Sequence, residues 1–142
     1  MNPAPFHLSI PVPDLVRART FYGEILGCAE GRSAQDRIDF DFFGHHLVVH
    51  VEPTEAAHRT AVVVSGGYPT PVRHFGVIVD RERWERVAAR LEAAGARFAL
   101  APQVIFAGDV REQAILLAED GCGNFVELKS QPAERIFARA PG

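Results

Sequence analysis

The chain opens the same way twice. His7-Leu-Ser-Ile-Pro-Val12 matches His74-Phe-Gly-Val-Ile-Val79 position for position. A glycine follows each histidine at nearly the same distance, Gly27 at 20 residues and Gly95 at 21. Two like units must fold alike, so the repeat constrains the chain more than any local signal does.

In the first unit, residues 5–52, the run from Phe6 to Val12 is rich in strand formers and stops at Pro13. Asp14 follows as an N-cap, and Leu15, Ala18, Phe21, Tyr22, Ile25 and Leu26 recur at helical spacing until Gly27. Residues 28–34 read as a weak strand. In residues 37–43, Ile38, Phe40 and Phe42 alternate with Arg37, Asp39 and Asp41, the pattern of a half-buried strand. Gly44 turns the chain into a further strand at 45–51. The order is βαβββ.

The second unit, residues 73–130, repeats it. A strand at 73–79 leads to an amphipathic helix at 81–94, with Trp84, Val87, Ala88 and Leu91 on its apolar face and Glu82 and Arg86 paired on the solvated side. Strands at 97–105, 113–119 and 124–129 follow. Residues 53–72 between the units read as a linker or lid with one edge strand near Ala61 to Val64. Residues 131–142 form a tail of little pattern whose end is expected to be mobile. The expected fold is α+β, one domain of two tandem βαβββ modules.

Composition narrows the partners. A net charge of −3 with no basic stripe argues against nucleic acid and against an anionic membrane. No apolar run approaches the roughly 20 residues of a membrane span. The opening Met-Asn-Pro-Ala-Pro lacks the features of a signal peptide. Cys28 and Cys122 lie far apart and form no CxxC, so they read as reduced thiols of a cytoplasmic protein, with a disulfide as the minority alternative.

Strand faces alternate, so neighbours show where each side chain points. Leu8, Ile10 and Val12 must meet the helix, which turns His7 the other way. The same reasoning turns His74 away from Phe75, Val77 and Val79, and turns Phe125 and Glu127 away from Val126 and Leu128. His46, Val48 and His50 take the corresponding face of their strand. Polar groups on an enclosed face are costly unless paired or metal-bound. Two imidazoles and a carboxylate suit a divalent first-row metal, and three protein ligands leave positions open, as catalytic sites do. His7, His74 and Glu127 are therefore the candidate ligands. His50 is the candidate fourth ligand or proton-transfer group. His46 ranks lower because it sits nearer the turn, and His45 and His58 read as incidental. Trp84, Phe21 and Tyr22 read as core; Phe40, Phe42 and Phe125 are either packing or the apolar wall of a pocket.

The paired units, the histidine at each opening strand and the ending Gly123-Asn-Phe-Val-Glu-Leu128 resemble the vicinal oxygen chelate superfamily. It includes glyoxalase I, fosfomycin-resistance enzymes, bleomycin-resistance proteins and extradiol dioxygenases. The resemblance covers about residues 5 to 130. It implies that each sheet curls into an open half-barrel with a divalent metal between the halves, and that the protein is a homodimer. Carried over by position, it makes His7 and His74 the opening-strand ligands and Glu127 the closing-strand ligand. On the first unit's closing strand it finds His50 where glyoxalase I-like enzymes keep a glutamate that serves as ligand and base. The His, His, Glu set is the facial triad that extradiol dioxygenases use for Fe2+. The implied activity is thus an extradiol-type dioxygenase acting on a small substrate held through vicinal oxygens, with Fe2+ favoured over Zn2+, Ni2+ or Mn2+ and His50 as a catalytic residue. The alternatives are a glyoxalase I-like lyase or fosfomycin-resistance-like thiol transferase, with the metal as a Lewis acid, and a metal-free binding protein for a small aromatic ligand.

Overall fold

The structure, a computed structural model, describes residues 3–139. The first module comprises β1 (His7–Val12), α1 (Leu15–Ala18) with a π-helical continuation (Arg19–Ile25), β2 (Ala29–Ser33), β3 (Arg37–Phe42) and β4 (His45–Val51). The linker holds α2 (Pro53–Ala56) and the hairpin β5 (Val62–Ser65) and β6 (Tyr68–Pro71). The second module comprises β7 (Phe75–Ile78), α3 (Arg81–Ala93), β8 (Phe98–Ile105), β9 (Gln113–Glu119) and β10 (Phe125–Ser130), and a short α4 (Ala133–Ile136) follows.

The two sheets share one topology, β1-β4-β3-β2 and β7-β10-β9-β8. In each, the opening strand runs parallel to the closing strand and the remaining pairs are antiparallel. The fold is α+β, with two open βαβββ half-barrel modules. The helix starts are built alike as well: Asp14 accepts from the Arg17 amide and Asp80 from the Arg83 amide, each at 2.8 Å.

Three local details depart from expectation. The first helix widens after Ala18, where the Leu26 amide donates to the Phe21 carbonyl at 2.9 Å in an i→i+5 bond. The wide turn seats the adjacent rings of Phe21 and Tyr22 side by side in the core, 5.0 Å apart and edge to face. The linker forms a whole hairpin rather than one edge strand. Gly66 and Gly67 both take positive φ, 56° and 86°, the signature of a type I′ turn. Pro69 and Pro71 are tolerated because a two-stranded hairpin leaves each outer N–H position without a partner to lose. The tail forms α4, while the expected mobility of its end falls on residues 140–142, outside the described residues.

Both helix-facing sides pack into one core. Ile10, Tyr22, Phe40 and Leu47 of the first module join Leu91, Leu116 and Val126 of the second. Trp84 is in this core and donates from Nε1 to the Leu128 carbonyl at 3.1 Å. Arg90 of α3 donates to the Glu24 carbonyl at 3.0 Å, so a cation of one module caps the helix of the other. Cys28 and Cys122 are buried and free, and burial pushes their thiols up to about 11 and about 12, so neither is a thiolate at neutral pH. Because the core is shared, the faces opposite it are the outer faces of the two sheets, and the candidate site residues lie there.

Candidate metal centre

On the outer face of the first module the register sets three rungs across β1, β4 and β3: His7–His46–Asp41, Ser9–Val48–Asp39 and Pro11–His50–Arg37. The His7 ring lies against His46, with the two Nδ1 atoms 2.9 Å apart and the ring centroids 4.7 Å apart. His46 Nε2 stands 3.3 Å from Asp39 Oδ2, which also accepts from Arg32 Nε at 3.4 Å. Asp39 is buried, and its Oδ1 has no hydrogen-bond partner among the described residues. Burial works to raise the Asp39 carboxyl, but His46 and the guanidinium groups of Arg37 and Arg32 outweigh it and hold the group below its usual value. His50 is exposed. It lies four residues beyond His46, about 13 Å along a strand rising about 3.3 Å per residue.

On the outer face of the second module, His74 stands just ahead of β7. Its Nδ1 is 2.6 Å from the Pro71 carbonyl, and its Nε2 is 2.9 Å from Glu127 Oε2. Lys129 Nζ approaches the other carboxylate oxygen at 3.5 Å. The two site side chains are only 25% and 15% exposed. Gly76 lies opposite Glu127, and a Cβ there would run into the Glu127 carbonyl. Gly76→Ala is therefore expected to push β10 away from β7, costing about 1–3 kcal/mol by overpacking. A lowered melting temperature checks this, and an unchanged one would refute it.

Of the three predicted ligands, His74 and Glu127 come together, whereas His7 pairs with His46. Among the described residues no three His, Cys, Asp or Glu side chains gather closely enough to hold a metal. His50 joins neither group. The register also corrects the sequence-based counterpart of Glu127. Ser9 faces Val48 as Gly76 faces Glu127, and each small residue follows its module's histidine by two positions. The matching position is therefore the buried, apolar Val48, not His50. The sequence reading missed Asp39 and the Pro71 carbonyl, and it ranked His46 below His50. The shared face of Asp39 and His46 was visible as alternation; their contact was not.

A cavity of about 470 Å³ opens beside His74, walled in part by Ser9, Pro11, His58, Arg73 and Phe125. Neither His7 nor Glu127 lines it. Phe125 is thus a pocket wall, whereas Phe40 and Phe42 are core. His45 accepts from the Phe6 amide at 2.9 Å and anchors the start of β1. Among the described residues no helix is long and apolar enough to cross a membrane.

The family model described as Glyoxalase/Bleomycin resistance protein/Dioxygenase superfamily matches residues 5–128. A solved glyoxalase/bleomycin resistance protein/dioxygenase from Alicyclobacillus acidocaldarius is 32% identical, covers 95% of this chain and 96% of its own, and superposes with a TM-score of 0.73. The fosfomycin resistance protein FosX from Listeria monocytogenes is 16% identical over 94% of this chain and 98% of its own, with a TM-score of 0.71. Lactoylglutathione lyase from Agrobacterium tumefaciens is 17% identical over 89% and 92%, with a TM-score of 0.60. The likeness to these last two is one of fold. No curated protein sequence matches the chain.

Proposed function

The chain belongs to the glyoxalase/bleomycin resistance protein/dioxygenase superfamily, and from that premise we propose that it is a divalent-metal-dependent enzyme whose ligands are His74 and Glu127 of one copy and His7 of a second. The His74–Glu127 pair carries the reading. The Pro71 carbonyl claims a proton on His74 Nδ1, which leaves the neutral ring's lone pair on Nε2, 2.9 Å from a carboxylate oxygen. Two electron-rich atoms at that distance repel unless a proton or a metal cation joins them. An outer carbonyl on one nitrogen and a bare second nitrogen is also the arrangement a metal-ligating histidine takes. Imidazole and carboxylate donors fit Fe2+, Zn2+, Ni2+ and Mn2+.

Two ligands do not complete a site, and His7 stands apart from them, against His46. In a symmetric dimer each copy would lend His7 to its partner's pair, forming two equal sites. A bound ion there supplies a Lewis-acid centre that draws in and polarises neighbouring substrate oxygens. With apolar Val48 at the position matching Glu127, the protein offers three ligands rather than four. That supports an extradiol-type dioxygenase using Fe2+ on a small aromatic diol. The three ligands orient the reacting edge, and Phe125 supplies an apolar wall. His50, about 13 Å along β4 from His46, is too far to ligate beside His7 or to move a proton there directly.

Wild type purified without a tag is expected to hold about one ion per chain, and His74→Ala to lose it. Fe2+-loaded protein, prepared anaerobically, should consume O2 with simple catechols. Turnover of substrate without O2 would replace the dioxygenase by a lyase or thiol transferase. Wild type that no divalent metal can load would leave only a metal-free binder.

A further inference from the structure

We infer that Asp39 and His46 are positioning residues for His7, forming a row that holds the His7 imidazole with its proton on Nδ1 and its Nε2 bare. What Nε2 then binds rests on the reading above; the row itself belongs to a single copy. An ionised carboxylate only accepts, so the His46 nitrogen facing it at 3.3 Å, Nε2, is the one that carries a proton. A neutral His46 then has its lone pair on Nδ1. That atom lies 2.9 Å from His7 Nδ1, so His7 must be the donor. A free imidazole favours the opposite form, with its proton on Nε2, and so would present an N–H where a ligand needs a lone pair.

The second module solves the same problem with a carbonyl in place of an imidazole, since Pro71 claims Nδ1 of His74. Both opening histidines would thus offer Nε2. The buried Asp39, with Oδ1 unpartnered, supports a purpose beyond folding. A buried carboxylate with an orphaned oxygen costs stability, while its other oxygen is the one aimed at His46. Stacking of the two rings also restrains rotation of His7.

Histidine ¹⁵N spectra of the metal-free protein near pH 8 test the row directly. Wild type should show His7 protonated on Nδ1 and His46 on Nε2. His46→Phe keeps a stacked ring but no nitrogen, and His7 should shift toward the Nε2–H form. His46→Asn returns an acceptor near the old Nδ1, and the Nδ1–H form should return with it. Affinity for Zn2+, measured by titration, should fall about 10–100-fold in His46→Phe, the usual effect of removing an outer partner, and recover in His46→Asn. The inference is overturned if wild-type His7 carries its proton on Nε2, or if His46→Phe changes neither tautomer nor affinity. Failure of the metal-site reading would appear instead as a wild type that binds no Zn2+, and the tautomer would still decide the row.

Discussion

Co-expressed His7→Ala and Glu127→Ala chains are expected to recover about a quarter of the wild-type metal content, although each variant alone binds almost none. His7 stands against His46 and His74 against Glu127, and among the described residues no three His, Cys, Asp or Glu side chains gather to hold a metal. Within one copy the three residues therefore form two separate pairs and not one site. If copies exchange faces, random pairing makes about half the dimers mixed, and each mixed dimer holds one complete site and one empty of both residues. Each variant alone should lose more than about 100-fold in affinity, since loss of an outer partner by itself costs up to that much. Dual-tagged dimers, purified away from both parents and assayed for bound Fe2+ or Zn2+, should hold about half of the wild-type content, one site in two. A mixed dimer no better than its parents would show that the three residues do not share a site between copies. Metal retained by either parent alone would remove the altered residue from the ligand set.

The features legible in sequence are the ones that local chemistry dictates. Asp14 announces a helix start, and the structure caps that helix through it, as Asp80 caps the second. The alternation of Ile38, Phe40 and Phe42 with charged neighbours names the buried face of β3, and all three are core. Glu127 and His74 fall on one face by the same rule, and they meet. Register is different, because it depends on pairing with a strand some 40 residues away. Two histidines at positions 46 and 50 share a face, and nothing local says which stands beside His7; backbone pairing chooses His46. The packing of the modules is less local still. Apolar helix faces say that something must cover them, not that each module covers the other. That choice separates His7 from His74, and the repeat, which makes the two histidines look like natural partners, conceals it. The hairpin escaped notice because Pro69 and Pro71 mask a strand whose turn, Gly66-Gly67, was in plain view.

Asp120→Ala should be the most destabilising polar substitution, at about 3 kcal/mol or more, and it should loosen the joint between the modules. Four donors converge on this buried carboxyl. Oδ1 accepts from the Cys122 and Asn124 amides at 2.7 and 2.9 Å, and Oδ2 accepts from the Tyr22 hydroxyl at 2.6 Å and Asn124 Nδ2 at 2.9 Å. Tyr22 belongs to the first module, and Asn124 Nδ2 also reaches back to the Pro11 carbonyl at 2.9 Å. Removing the carboxyl strands the tyrosine hydroxyl and both amides in an apolar core. Tyr22→Phe deletes one donor and leaves each oxygen with a partner, so it should cost only about 1 kcal/mol. Asp120→Asn should fall between, since its amide oxygen still serves the two backbone N–H groups. The pH profile adds a separate signature. Burial lifts the Asp120 carboxyl above its usual value, against the pull of its bonds to Tyr22, Asn124 and Cys122. The folded chain then holds that proton more tightly than the unfolded chain. The resulting stabilisation is full below the unfolded value of about 4 and is lost as pH rises through the folded value. Asp120→Asn has no such proton, so the difference in stability between wild type and Asp120→Asn should carry this dependence, while the other carboxylates cancel between the two. Chemical denaturation of the three variants across the acid range checks both parts. Equal losses for Asp120→Ala and Tyr22→Phe would mean that the carboxyl matters only to the hydroxyl and does not tie the modules together.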